Sequence, residues 1–366
     1  MKGKPISASI ITIYDPIPNY GNRLQNYAVQ ETLKKLGVQT VTLSFEASIL
    51  SPKNRLKHLI RLMRGSGRGN REDRREYRLK VSVFEQFNKE YIKTQKIKQI
   101  GDIRDSDYFV LGSDQVWNPM WYSSHPLKKD LFLLTFTQPS KKVCFSPSFG
   151  IRQLPDEWKP WFREHLAGFS RFSVRETVGA EIIKEITGKD AAVLIDPTLM
   201  LDQKEWRSIS KRPSKNIDTE TPYLLTYFLG DESRQAMTDI RRISAEKKRK
   251  VLPLMNPENP ELFALGPGEF IYLLDHADLV LTDSFHGCVF SFLFGKPFLV
   301  YPRQGLGIDM MSRIDTFLET FDLKRKYKNS GIENEIAECS YESGYGILQT
   351  ERQKVIRFLK DSMDMQ

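Results

Sequence analysis

Two apolar periods alternate along this chain. Short, nearly continuous runs rich in β-branched residues occur at Ser7–Tyr14, Val38–Leu43, Tyr108–Leu111 and Leu279–Thr282. Such runs mark strands buried on both faces of a parallel sheet. Further strands are expected at Val143–Phe145, Arg171–Val174, Val193–Ile195, Tyr223–Leu229, Val251–Met255 and Phe298–Tyr301. Segments with helical spacing lie between them: Arg23–Leu36 closed by Gly37, Val81–Glu90, Glu232–Glu246, Glu269–His276, Ile314–Thr320 and Thr350–Lys360. This alternation predicts an α/β protein with parallel sheets wound by helices. The polar, aperiodic stretch Lys211–Glu220 reads as a linker. It divides the chain into Rossmann-like domains at 1–210 and 221–340, followed by a helix within 347–366.

The most informative segment is Ala277–Phe298, ADLVLTDSFHGCVFSFLFGKPF. A strand ends at Thr282, Asp283 and Ser284 can cap a helix, and Gly295 and Pro297 stop it. Ser284, Phe285, His286 and Gly287 then occupy the turn at a strand's carboxyl end, where open α/β sheets bind ligands. Helix N-terminal N–H groups favour an anion there. A His in that place donates to a phosphate or carboxylate, or serves as acid or base; a buried His capping the turn is the other reading.

Composition is that of a globular protein of 366 residues, 40% apolar and 28% charged. Three cysteines (Cys144, Cys288, Cys339) lack paired spacing, and no apolar run reaches signal-peptide or membrane-spanning length, so a cytoplasmic protein is expected. The net charge of +9 is concentrated between Lys53 and Lys80, where eleven basic residues face three acidic ones. Within this basic insertion (52–80), Leu56, Leu59, Ile60 and Met63 form one apolar helical stripe, and Gly65–Asn70 breaks it. A basic amphipathic helix suits an anionic membrane surface, which makes a peripheral position on its inner face one reading. A helix packed on its own domain is the other. No recognised nucleic-acid module accompanies the charge.

An ordered set of motifs goes further. These are Asp15–Gly37 (DPIPNYGNRLQNYAVQETLKKLG), Tyr108–Pro119 (YFVLGSDQVWNP), Cys144–Gly150, Ser173–Glu176 (SVRE), Leu194–Leu201 (LIDPTLML), Gly266–Gly287 and Met311–Ile314 (MSRI). Together they resemble the polysaccharide pyruvyl transferases. The resemblance implies a two-domain, glycosyltransferase-B-like architecture, with sheets facing across a cleft and the last helix crossing back to the first domain. It implies transfer of the enolpyruvyl unit of phosphoenolpyruvate, a co-substrate rather than a cofactor, to two hydroxyls of a sugar in a surface (exopolysaccharide or capsular) polysaccharide. A galactose-like sugar on a lipid-linked oligosaccharide is the acceptor partner this suggests, with a pyruvate ketal and phosphate as products.

That chemistry needs cations and N–H donors for a trianionic donor, and a base for the hydroxyl protons. For the donor the candidates are His286, Ser284 and Gly287, with Arg175 of SVRE forking onto a carboxylate or phosphate. An ion pair of Arg175 with Glu176 is the alternative. Many family members carry Arg-Leu-His where this chain has Ser284-Phe285-His286, so another cation is required. Arg313 is the candidate and Arg303 a weaker one; Glu269 is expected to cap its helix. For the acceptor, Asn22 and Gln25 follow the Gly21 turn, Trp117 can stack on a pyranose, and Asp114 can take a hydroxyl proton. The catalytic pair is therefore His286 and Asp114. Asp196, in an Asp-Pro turn, is assigned a structural role. No metal is expected, since the histidines lack ligand spacing and no Asp-x-Asp occurs. Phosphate-loop and dinucleotide fingerprints are absent. Two rivals remain: a nucleotide-sugar glycosyltransferase on the same scaffold, and a basic membrane-docking scaffold without activity.

Overall fold

A computed structural model describes residues 5–14, 17–45, 71–124, 127–304, 311–326 and 341–365. The chain divides into two compact units, Met1–Pro52 with Asn88–Leu201 and Leu348–Gln366, and Lys53–Phe87 with Asp202–Ile347. Each is α/β and built on a parallel sheet, the architecture the alternating periods predict.

The first sheet has five strands: β1 (Ser7–Ile11), β2 (Gln39–Phe45), β3 (Thr94–Ile97), β4 (Tyr108–Leu111) and β5 (Lys142–Cys144), in the order β3-β2-β1-β4-β5. β1 lies in parallel register with β2 (Ser7 opposite Gln39) and with β4 (Ile11 opposite Leu111). A two-stranded parallel sheet, β6 (Phe172–Val174) with β7 (Ala191–Val193), follows. It is tied to β5 by Ser173, whose hydroxyl donates to Cys144 O (3.0 Å) and accepts from Ser146 N–H (3.1 Å). The helices of this unit include α1 (Tyr20–Lys35), the end of α2 (Arg71–Tyr91), α3 (Leu127–Leu133), α4 (Lys159–Leu166) and α5 (Thr177–Thr187). Its core gathers Ile11, Leu111, Trp117, Phe132, Phe149, Phe162 and Phe172. The sequence pattern misses β3, an edge strand whose TQKI is polar because all but Ile97 are at least partly exposed.

The second sheet is β8 (Tyr223–Tyr227), β9 (Lys250–Pro253), β10 (Leu279–Thr282) and β11 (Phe298–Val300), ordered β11-β10-β8-β9. Its helices include α6 (Gln203–Ser208), α7 (Arg234–Lys247), α8 (Pro260–Phe263), α9 (Pro267–His276), α10 (Phe285–Leu293), α11 (Ser312–Thr320) and the start of α12 (Glu342–Ser362). Ala236 and Ile243 of α7 pack with Leu224, Leu279 and Leu281. Phe270 of α9 and Trp206 of α6 meet Phe290 of α10. Every residue of β8 and β10 is buried, as expected for strands covered on both faces.

The stretch expected to be a linker belongs to the second unit. Lys211 N–H donates to Gly268 O (3.1 Å), and Pro213 and Ile217 are buried, so this polar segment is packed rather than spanning. Residues of α12 from Leu348 onward belong to the first unit, where Arg352 donates to Leu199 O (2.7 Å) and Leu201 O (2.8 Å). The apolar stripe Leu56–Met63 and the break at 65–70 lie outside the described residues. Of the basic set, Lys80 departs from the sequence expectation. It is buried in the second unit, its ammonium 3.5 Å from Met255 Sδ and 4.3 Å from the centre of the Phe263 ring.

Candidate functional site

Ligands of open parallel sheets sit outside the strand carboxyl ends where the strand order reverses. In the first unit this point falls between β1 and β4, in the second between β8 and β10. The sequence candidates fall at both.

In the second unit β10 ends at Thr282, and its hydroxyl donates to Tyr227 O (2.6 Å) and accepts from Ser284 N–H (2.9 Å). Asp283, 1% exposed, turns back across the switch point. Its carboxylate accepts from Leu229 N–H (2.7 Å), Gly230 N–H (2.9 Å) and Arg303 Nε (3.1 Å), and Arg303 Nη2 also reaches Asp283 O (3.0 Å). A side chain on Gly230 would stand 2.5 Å from Gln304 O, so glycine there lets the two loops meet backbone to backbone. Ser284, not Asp283, caps α10, accepting from Gly287 N–H at 3.4 Å. Gly287 is required by a close approach too: a Cβ would lie 2.5 Å from Thr282 Oγ1. His286 sits in the first turn of α10, 9% exposed, edge-on to Phe285 (5.2 Å). Burial pushes the Tyr227 hydroxyl beneath this turn up from its ordinary value, against a smaller opposing hydrogen bond with Ser284. Arg313 stands in the first turn of α11, 8% exposed. Glu269 accepts from Gly266 N–H (3.2 Å) at the start of α9, as expected, and burial raises its pKa.

In the first unit Asn19 caps α1, and Asn22 in its first turn donates through Nδ2 to the Asp114 carboxylate. Asp114 takes a positive φ (99°), which is costly for a residue with a side chain. The turn is held by Asp114 O, which accepts from Val116 N–H and Ser148 N–H (both 2.8 Å). Asp114 also forms a parallel bridge with Pro147. Beneath it runs a relay. Gln25 Nε2 donates to Thr12 Oγ1 (2.7 Å), Thr12 to Ser113 O (2.8 Å), and Ser113 to Asp196 Oδ2 (2.9 Å). Asp196 further accepts from Thr198 and from the guanidinium of Arg175.

Three expectations are corrected here. Trp117 is fully buried, its Nε1 donating to Phe132 O (3.1 Å) and its ring against Phe149 (5.3 Å), so it offers no face to a sugar. Gln25 is likewise fully buried and donates through Nε2 to Thr12 and Asn22, supporting the turn from below. Arg175 belongs to the first unit, and its side chain, 1% exposed, is paired with Asp196. Glu176 instead accepts from Ser148 Oγ and from the N–H groups of Phe149 and Gly150.

The structure brings Asn22 and Asp114 together in one unit, and Ser284, His286 and Gly287 in the other. The Asp283–Arg303 pair escapes the sequence reading. Its signal is the register of β10 with β11, Thr282 opposite Val300, which places residues just beyond both strands side by side. Among the described residues no cluster of three or more metal-ligating side chains occurs, and no helix is long and apolar enough to cross a membrane. A cavity of about 370 Å³ lined by Thr94, Gln95 and Arg104 lies beside the loop entering β4, the end of that strand opposite Asp114.

A family model described as "Polysaccharide pyruvyl transferase" matches residues 19–305. Comparison with curated proteins finds no match. Among solved structures, the chain is similar to a candidate UDP-N-acetylglucosamine 2-epimerase from Listeria monocytogenes, with TM-score 0.49, 12% identity, and coverage of 98% of this chain and 96% of that one. It is also similar to the trehalose-6-phosphate phosphatase N-terminal domain of Candida albicans, with TM-score 0.47, 9% identity, and coverage of 99% and 97%. A third is the UDP-GlcNAc 2-epimerase of Neisseria meningitidis bound to UDP-GlcNAc, with TM-score 0.43, 11% identity, and coverage of 97% and 99%. None of the three bears on substrate or mechanism here.

Proposed function

The chain belongs to the polysaccharide pyruvyl transferase family, and from that premise we propose that it moves the enolpyruvyl unit of phosphoenolpyruvate onto two hydroxyls of a polysaccharide sugar. The observation that carries this reading is the extent of the match, 19–305, which takes in both switch-point turns. The donor phosphate lies against the N–H groups opening α10, with His286 as its partner and proton donor. Protonation of the enol methylene makes a methyl group and an oxocarbenium-like centre. Two sugar oxygens bond to that carbon and the carbon–oxygen bond to phosphate breaks. Of the two hydroxyl protons lost, one balances that gained by the methylene and the other leaves on phosphate. Asp114, oriented by Asn22, is the base for a hydroxyl proton. The acceptor is a galactose-like sugar on a lipid-linked oligosaccharide, and the basic segment 53–80, without the buried Lys80, is its contact with an anionic membrane surface.

The test is incubation with phosphoenolpyruvate and galactoside acceptors. Phosphate release matched by a ketal mass gain in the acceptor is the expected result. Sugar transfer from a nucleotide sugar, with phosphoenolpyruvate left intact, would overturn the reading in favour of a glycosyltransferase.

A further inference from the structure

An aromatic column leads outward from the core beneath the Asp114 turn. It starts at buried Trp117, passes Phe149 (5.3 Å) and Phe162 (5.6 Å from Phe149), and reaches Tyr122, stacked on Phe162 at 6.0 Å. Tyr122 anchors it with a hydrogen bond to Val116 O (3.0 Å). The column ends at Trp158 and Trp161, which lie 5.6 and 5.4 Å from Tyr122 and 5.7 Å from each other. These two indoles, like that of Trp121, are partly exposed, whereas Trp117 and Trp206 are fully buried. Lys129, exposed, holds its ammonium 5.4 Å from one ring and 5.6 Å from the other.

Lys159, between the two tryptophans, bridges Asp156 and Glu185 at 2.7 Å each, and His165 lies against Trp161 at 4.7 Å. Both rings pack against the core and keep part of their surface in solvent. Rigid aromatic faces beside a hydrogen-bonding cation suit a ligand with apolar C–H faces and polar edges, the chemistry of a pyranose. The segment joining Asp114 to Tyr122 is continuous, so the same loop carries the turn and the foot of the platform.

We propose that Trp158, Trp161 and Lys129 form a saccharide subsite that holds sugar units of the acceptor chain beyond the one modified. This rests on the reading that the acceptor is a polysaccharide. The occupant is a glycan chain, its sugar faces on the indoles and its hydroxyls or carboxylates on Lys129.

Oligosaccharides of about four to six sugars, neutral and uronate-containing, serve as probes alongside single-sugar glycosides. In a Trp121→Phe background, a bound chain should change the fluorescence of Trp158 and Trp161 and shield them from iodide. Single sugars should do so only at much higher concentration. In Trp161→Ala, and in the milder Lys129→Ala and Trp158→Phe, affinity for the chain should fall about tenfold more than affinity for the glycoside. Equal losses for chain and glycoside, or unchanged iodide quenching of the Trp121→Phe protein with every chain tested, would overturn the subsite. Failure of the function reading looks different: chains would bind and shield the indoles while phosphoenolpyruvate stayed unconsumed.

Discussion

Asp283 and Arg303 form an ion pair 3.1 Å long at the switch point of the second sheet, with side chains 1% and 10% exposed. The same carboxylate takes two backbone N–H groups from the loop after β8, so one side chain ties three loops together. Removing it takes the charged partner from Arg303 and the side-chain acceptor from the Leu229 and Gly230 N–H groups. Asp283→Ala is expected to lose about 3–5 kcal/mol of stability in denaturant titrations. Arg303→Met should cost less, since Asp283 keeps both N–H donors. Equal stability of Asp283→Ala and wild type would remove the pair from any role in shaping the turn.

His286→Ala should lower turnover by roughly 10²-fold or more if the imidazole moves a proton. His286→Asn keeps a hydrogen bond to a bound phosphate and should restore donor affinity but not turnover. Steady-state kinetics on phosphoenolpyruvate separate the two effects. Near-normal turnover in a folded His286→Ala protein would leave the residue as a buried cap.

The strand–turn–helix at Ala277–Phe298 is legible because local signals agree: a buried apolar run, a capping Ser284 and a stop at Gly295. Asn22 and Asp114 are legible as turn residues, but their contact depends on β1 and β4 being neighbours across a crossover, which no local signal states. Trp117 misleads for a related reason. An aromatic in a polar loop reads as exposed, yet this loop folds over the core and buries it. The partly exposed pair is announced only by Trp158-Lys159-Pro160-Trp161 at helical spacing, a pattern that equally fits a core helix.

Trp117 gives a direct check. A core indole packed against Phe149, Phe169 and Phe172 should cost about 3–5 kcal/mol when truncated to Ala. A Trp117→Ala protein of wild-type stability that binds acceptor poorly would return the residue to the sugar site.

Arg175 and Asp196 are expected to act on stability rather than on the donor. Arg175→Lys keeps a charge but loses the planar fork beneath Ser113, so the melting temperature should drop. The KM for phosphoenolpyruvate should change little in the protein that remains folded. A tenfold rise in that KM without loss of stability would instead make Arg175 a donor ligand.

Lys80 provides a test by pH. Two opposing effects act on its ammonium. The Phe263 ring at 4.3 Å favours the cation by about 0.5–2 kcal/mol, whereas complete burial disfavours it by several kcal/mol. Burial wins, and the pKa falls from 10.5 to about 7. Between those values the unfolded chain holds a proton that the folded one does not, so the stability linked to Lys80 rises with pH across that window. Below it both states are protonated and the full cost of a buried charge is present. Lys80→Met, of similar length and beside Met255, removes the cost. It should stabilise the protein by roughly 2–5 kcal/mol near pH 6, with the advantage fading towards pH 10. Urea titrations of both proteins at unit steps of pH measure the difference. A difference that does not vary with pH would mean that Lys80 keeps its charge in the folded state.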